Sequence, residues 1–204
     1  MRNIKQILNG VVFTAILLFS FTAHALYLSG NDVYTLNGYD SFINTYDTSM
    51  LTMEDYSGSA HVNAYNQSTI NVLTSGSISH FSTFNESTAN IFDGNFSFIN
   101  VLDNSQVNLY GLGSTSWFML GLDAHLTVYG DNIMYQNGHV SGMGVNGYFF
   151  GFDVLKVDEF GGIIDGIATN VTISSVPEPM TLLLFLSGLI PLFAKVKLNG
   201  NRQS

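Results

Sequence analysis

Ile70-Asn71-Val72-Leu73, Ala89-Asn90-Ile91-Phe92, Val107-Asn108-Leu109-Tyr110 and Leu126-Thr127-Val128-Tyr129 share one grammar: an apolar residue, Asn or Thr, then two apolar residues. Val62-Asn63-Ala64-Tyr65 and Ile99-Asn100-Val101-Leu102 repeat it. Alternation of period two, rich in β-branched and aromatic residues, is the signature of short strands. Turn formers punctuate the runs, as in Thr74-Ser75-Gly76, Asp93-Gly94-Asn95 and Asp103-Asn104-Ser105. No helical period extends through this part of the chain, so the fold class is all-β.

The spacing carries more than the motif. Ile70, Ala89, Val107 and Leu126 are separated by 19, 18 and 19 positions. A second series, Val62, His80 or Phe81, Ile99 and Phe118, keeps nearly the same step. Two strand series with a shared period of about 18–19 residues predict a β-solenoid, parallel β-helix-like, with two or more short strands per coil. Coils stacked about 4.8 Å apart would place Asn71, Asn90 and Asn108 in a ladder of pairing amides. An antiparallel β-sandwich with strands every ~8–10 residues is the alternative that the same alternation allows.

The organisation read from these signals has 26–57 as an N-terminal β or cap region, 58–130 as the repeats, and 131–175 as a terminal β cap with linker. Asn137-Gly138 is a hairpin-turn pair. Phe152 to Val157, Ile163-Ile164 and Thr169 to Ser175 read as the strands of the cap, which a solenoid needs because an open coil exposes unpaired backbone.

Charge limits the partners. Of the 204 residues only 10% are charged. Between Leu26 and Val176 there are 14 acids and one fixed positive charge, Lys156. Such a chain cannot neutralise a row of phosphates, so nucleic acid is excluded as a partner. With no cysteine there is neither a disulfide framework nor a thiolate metal site.

The two ends read as processing segments. Residues 1–25 combine Arg2 and Lys5, the apolar run from Val11 to Phe19, and Ala23-His24-Ala25 as a small-x-small cleavage site. These are the three parts of a helical secretory signal peptide, which leaves a mature chain beginning at Leu26. Residues 176–204 begin with Val176-Pro177-Glu178-Pro179, continue with the apolar run 180–194, and end with Lys195, Lys197 and Arg202. A helix over that run reaches about 22 Å, a short transmembrane segment whose lysines can snorkel to one face. Positive charge behind it places that end in the cytoplasm. The signal sends the middle out and the tail stops transfer.

Val-Pro-Glu-Pro, an apolar helix and a basic end together resemble the PEP-CTERM sorting signal of Gram-negative bacteria, over about 29 residues. In this chain the positive charges are spread rather than clustered, and Pro191 interrupts the helix. The resemblance implies that Val176, Pro177, Glu178 and Pro179 form the motif recognised by exosortase. It also implies delivery by the Sec machinery, an inner-membrane-anchored precursor, a final place at the cell surface or in the extracellular matrix, and an association with exopolysaccharide.

Chemistry in the middle is sparse. Asp93, Asp103, Asp123, Asp131 and Asp153 could supply the carboxylate pair of a glycosidase, but Asp beside Gly or Asn is the signature of a turn. His61 and His80 lie one coil apart, so the stack could bring two imidazoles together for a metal; His125 and His139 have no such spacing. Acidic turns could bind Ca²⁺, without matching the repeat of known Ca²⁺-binding β-rolls. Asn66-Gln67-Ser68, Asn85-Glu86-Ser87, Asn95-Phe96-Ser97 and Asn170-Val171-Thr172 are formal glycosylation sequons expected by chance in this composition. Tyr65, Phe92, Tyr110 and Tyr129 could form an aromatic strip that stacks on sugar rings, or they could pack against neighbouring loops. The expectation is an exported, non-enzymatic surface or matrix protein with no catalytic, cofactor or metal site. A carbohydrate- or Ca²⁺-binding module and a carbohydrate-active enzyme are the alternatives.

Overall fold

A computed structural model describes residues 24–175. These form a parallel β-solenoid. Its coils are successive strand pairs: β1 (Ala25–Leu28) with β2 (Val33–Leu36), β3 (Tyr39–Thr45) with β4 (Met50–Met53), and β5 (Gly58–Ala64) with β6 (Thr69–Val72). There follow β7 (Ser77–Thr83) with β8 (Thr88–Ile91), β9 (Asn95–Val101) with β10 (Gln106–Leu109), and β11 (Ser114–Leu120) with β12 (His125–Gln136). Odd strands stack in parallel as one sheet and even strands as a second. The antiparallel sandwich is thereby ruled out. The stack also begins ahead of Gly58, since β1 to β4 form two coils of the same kind.

The core follows from register. In the even sheet Leu51, Ile70, Ala89, Val107 and Leu126 occupy one row. In the odd sheet Ile43, Val62, Phe81, Ile99 and Phe118 occupy another. All ten side chains are fully buried. The inward member of the second series is Phe81, and His80 points outward beside it. The coil that carries Phe81 on one sheet carries Ala89 on the other, so a large and a small side chain share that layer's volume.

Why the step is 18 once and 19 otherwise is also visible. Most coils in the repeat close with four residues between an even strand and the next odd strand, such as 73–76 and 110–113. After β8 only Phe92-Asp93-Gly94 intervene. Gly94 takes φ 129° there, a conformation side-chain-bearing residues rarely adopt, and the tighter closure removes one position.

The opposite turns, from odd to even strands, read Tyr46-Asp47-Thr48-Ser49, Tyr65-Asn66-Gln67-Ser68, Phe84-Asn85-Glu86-Ser87 and Leu102-Asp103-Asn104-Ser105. The second residue of each is left-handed, with φ of 57°, 59°, 57° and 55°. Asp and Asn tolerate that region best among residues with a Cβ. The serine turns inward and is fully buried. Ser68 and Ser105 bond the threonines of the inward row, Thr45 and Thr83, each at 2.9 Å. Two of the formal sequons, Asn66-Gln67-Ser68 and Asn85-Glu86-Ser87, are therefore this turn written out: a left-handed Asn and a buried Ser two places on.

After the sixth strand pair the chain changes direction. β12 runs on past Tyr129 and turns at Asn137-Gly138, both at positive φ, 53° and 81°. That is the geometry of the two-residue hairpin the pair signals. β13 (His139–Gly144) and β14 (Phe149–Lys156) continue antiparallel. The end of β14 then rejoins the odd sheet beside β11, and β15 (Val171–Ser174) joins the even sheet beside β12. Ile163 contributes only one bridge, to Val157. Val140, Phe150 and Phe152 from this segment are buried in the main core, with the Phe152 ring 5.2 Å from Phe118.

Candidate functional site

The solenoid places equivalent residues directly above one another, so its outer surface is a set of ladders. The asparagine ladder forms in the even sheet: the Asn90 side-chain amide donates to Asn71 and the Asn108 amide to Asn90, both at 2.9 Å. In the odd sheet Asn63 donates likewise to Asn44 at 3.0 Å. A primary amide carries both donor and acceptor, so identical neighbours one coil apart satisfy each other along the row.

Aromatic side chains form three further ladders. Tyr27, Tyr46, Tyr65 and Phe84 stack at 4.8, 4.7 and 4.9 Å along the first turn. Phe92, Tyr110 and Tyr129 stack at 4.5 Å along the second. Phe42, His61, His80 and Phe98 stack at 4.7, 4.7 and 5.0 Å on the outer face of the odd sheet. Tyr65 thus belongs to one edge of the rod and Phe92, Tyr110 and Tyr129 to another. They do not form one strip. Within each ladder the ring faces cover one another, and solvent meets ring edges and hydroxyls. A sugar that stacks on aromatic faces finds these already occupied.

Trp117 departs from this order. It follows Phe98 in register but its ring is turned 80° to that neighbour, at 5.5 Å. It is 50% exposed. The signal for this ladder was present in the sequence: Phe42, His61, His80, Phe98 and Trp117 each stand one place before a residue of the buried row.

Burial pushes the Tyr65 phenol above its ordinary value of 10.0, and neighbouring Tyr46 adds to the shift. Tyr110 is raised in the same way, by burial first and then by Tyr129. Below pH ~10 these phenols are neutral in both the folded and unfolded chain. Above it the unfolded chain ionises first and holds fewer protons, so stability falls as pH rises until the folded phenols ionise too. Thermal melts between pH 9 and 11.5 are expected to show a declining midpoint, and a Tyr65→Phe, Tyr110→Phe double variant a shallower decline. Equal slopes would remove this role for the ladders.

The titratable candidates separate. His61 and His80 stack as ring neighbours, with Phe42 and Phe98 on either side, and among the described residues no group of three His, Cys, Asp or Glu side chains could hold a metal ion. His139 pairs with Asp153 at 2.7 Å on the exposed face of β13 and β14. His125 begins β12 at the surface. The Asp93 carboxylate accepts from the Gly94 amide at 2.7 Å, and Asp103 from the Asn85 amide at 3.0 Å, both as turn groups. Asp103 and Asp123 do come together, lining an open groove of about 460 Å³ with Asp158, Glu159 and Phe160. The Asp158 carboxylate is engaged by the Phe160 and Gly162 amides at 3.0 and 2.7 Å. Asp131 lies away from this groove, on the β12–β13 ladder.

Of the processing residues, Ala25 opens β1. Ala23, the motif Val176-Pro177-Glu178-Pro179, the apolar run 180–194 and Lys195, Lys197 and Arg202 lie outside the described residues. Among the described residues no helix is long and apolar enough to cross a membrane. No family model, no curated protein and no solved structure matches this chain.

Proposed function

We propose that this chain is an exported, non-enzymatic protein of the cell surface or extracellular matrix. It is secreted through residues 1–25, held in the inner membrane by its tail, and processed at Val176-Pro177-Glu178-Pro179 by exosortase. The observation that carries the reading is the junction of rod and tail. β15 ends at Ser174, so in the sequence the Pro-punctuated motif follows directly on the last strand of the solenoid. In the rod, amides and ring faces are spent on coil-to-coil contacts, as suits a spacer whose surface repeats along its length. Fractionation of cells that make the intact chain or a motif-substituted chain tests the reading.

Trp117 favours binding of a neutral polysaccharide as a second reading. Its ring breaks the stacked order and is half exposed, and the acidic rod disfavours anionic glycans. It is the sole tryptophan, so its fluorescence reports contact directly. Titration with neutral glycans is expected to shift its emission, and Trp117→Ala to abolish retention on a glycan resin. An emission spectrum unchanged across a glycan panel would eliminate this reading.

A further inference from the structure

The two ends of the rod are built differently. At the C-terminal end the β13–β14 hairpin covers the core. At the N-terminal end, among the described residues, β1 pairs only with β3, and β2 only with β4. The hydrogen bonds fix which groups are left over. The Tyr46 amide donates to the Leu28 carbonyl, Met50 to Asp32 and Glu54 to Leu36, at 3.0, 2.8 and 3.0 Å. Parallel ladders use alternate residues, so Tyr27, Val33 and Thr35 direct their N–H and C=O groups outward along the rod axis. Apolar surface is exposed at the same place. Tyr27 is 63% exposed, Val33 75% and Tyr34 42%. Tyr34 stands in register with inward-facing Leu51. Tyr27 ends the tyrosine ladder, with Tyr46 against one ring face.

We propose that this end is a self-pairing surface, on which two copies of the mature chain join head to head across a two-fold axis, β1 to β1 and β2 to β2. The occupant follows from the arrangement of the edges. They end two different sheets of one coil, so a single extended peptide can satisfy one of them but not both. A second coil end satisfies both together. A two-fold axis perpendicular to the rod reverses strand direction on each sheet, which makes both new pairs antiparallel and closes the assembly at two copies. Charge permits the approach: residues 26–37 of the mature chain carry one acid, Asp32. The opposite end, with Asp123, Asp131, Asp153, Asp158, Glu159 and Asp165, would repel its own copy. The proposal rests on the reading of Ala23-His24-Ala25 as the cleavage site, since a chain starting at Leu26 has no upstream segment to cover the edge.

The test is native mass spectrometry and light scattering on the processed protein purified from exporting cells, with its intact mass measured first. The expected result is a chain that starts at Leu26 and a particle of twice its mass. Thr35→Pro removes only an outward N–H, which an edge strand tolerates. It is expected to give a monomer with an unchanged circular-dichroism spectrum. Val33→Lys, which places charge on the edge without touching the backbone, is expected to do the same. A wild-type monomer, a dimer that survives both substitutions, open-ended filaments, or a different protein held on the edge would each overturn the proposal. An intact mass that begins upstream of Leu26 defeats the cleavage reading itself, and the bare edge with it.

Discussion

Phe81→Ala is expected to lower stability by about 3–5 kcal/mol, the cost of removing a fully buried aromatic ring and leaving a cavity. Phe81 is fully buried in β7, with coils stacked on both sides. On the other sheet the same coil carries Ala89, a small buried side chain. For a folded unit of this size each kcal/mol moves the melting midpoint by roughly 2–4 °C, so a circular-dichroism melt should shift by about 6–20 °C. Leu28→Ala, in a terminal coil with a single neighbour, should cost less, because repeat stacks gain stability from each interface. A second change, Ala89→Leu, should restore part of the loss in the Phe81→Ala background and destabilise the wild type by overpacking. Additive effects of the two changes would mean that Phe81 and Ala89 do not share a layer.

The second large effect concerns sorting. Replacing Pro177, Glu178 and Pro179 together by Ala leaves the apolar run and its positive charges in place while removing the residues that the resemblance assigns to exosortase. The expected result is near-complete retention of a longer, membrane-bound form, against release or surface display of the wild type. The solenoid should be unaffected, because β15 ends before the motif. Unchanged processing of the substituted chain would show that the tail is only an anchor.

The fold was legible where side chains answer to one constraint. Ile70, Ala89, Val107 and Leu126 must all face inward, so their spacing reports the coil directly. The odd sheet was harder to read, because the short closure at Gly94 shifts the step and leaves His80 and Phe81 equally spaced candidates. The first two coils escaped the pattern for a local reason. Leu51-Thr52-Met53 follows the grammar, but Glu54 stands where later coils carry Leu73, Phe92 and Tyr110. The aromatic residues were visible, yet their grouping was not. Tyr65 and Phe92 each end an alternating run, and only the pairing of strands shows that one follows the odd sheet and the other the even sheet. Asp103 and Asp123 meet in a groove that depends on the segment after β14, whose path no spacing in the repeats encodes.

The most direct test of the account is the intact mass and cellular location of the protein made from its full-length gene. The expected protein is a chain cut after Ala25, shortened at its C-terminal tail, and found outside the inner membrane. A cytosolic chain that retains every residue from Met1 to Ser204 would contradict the account.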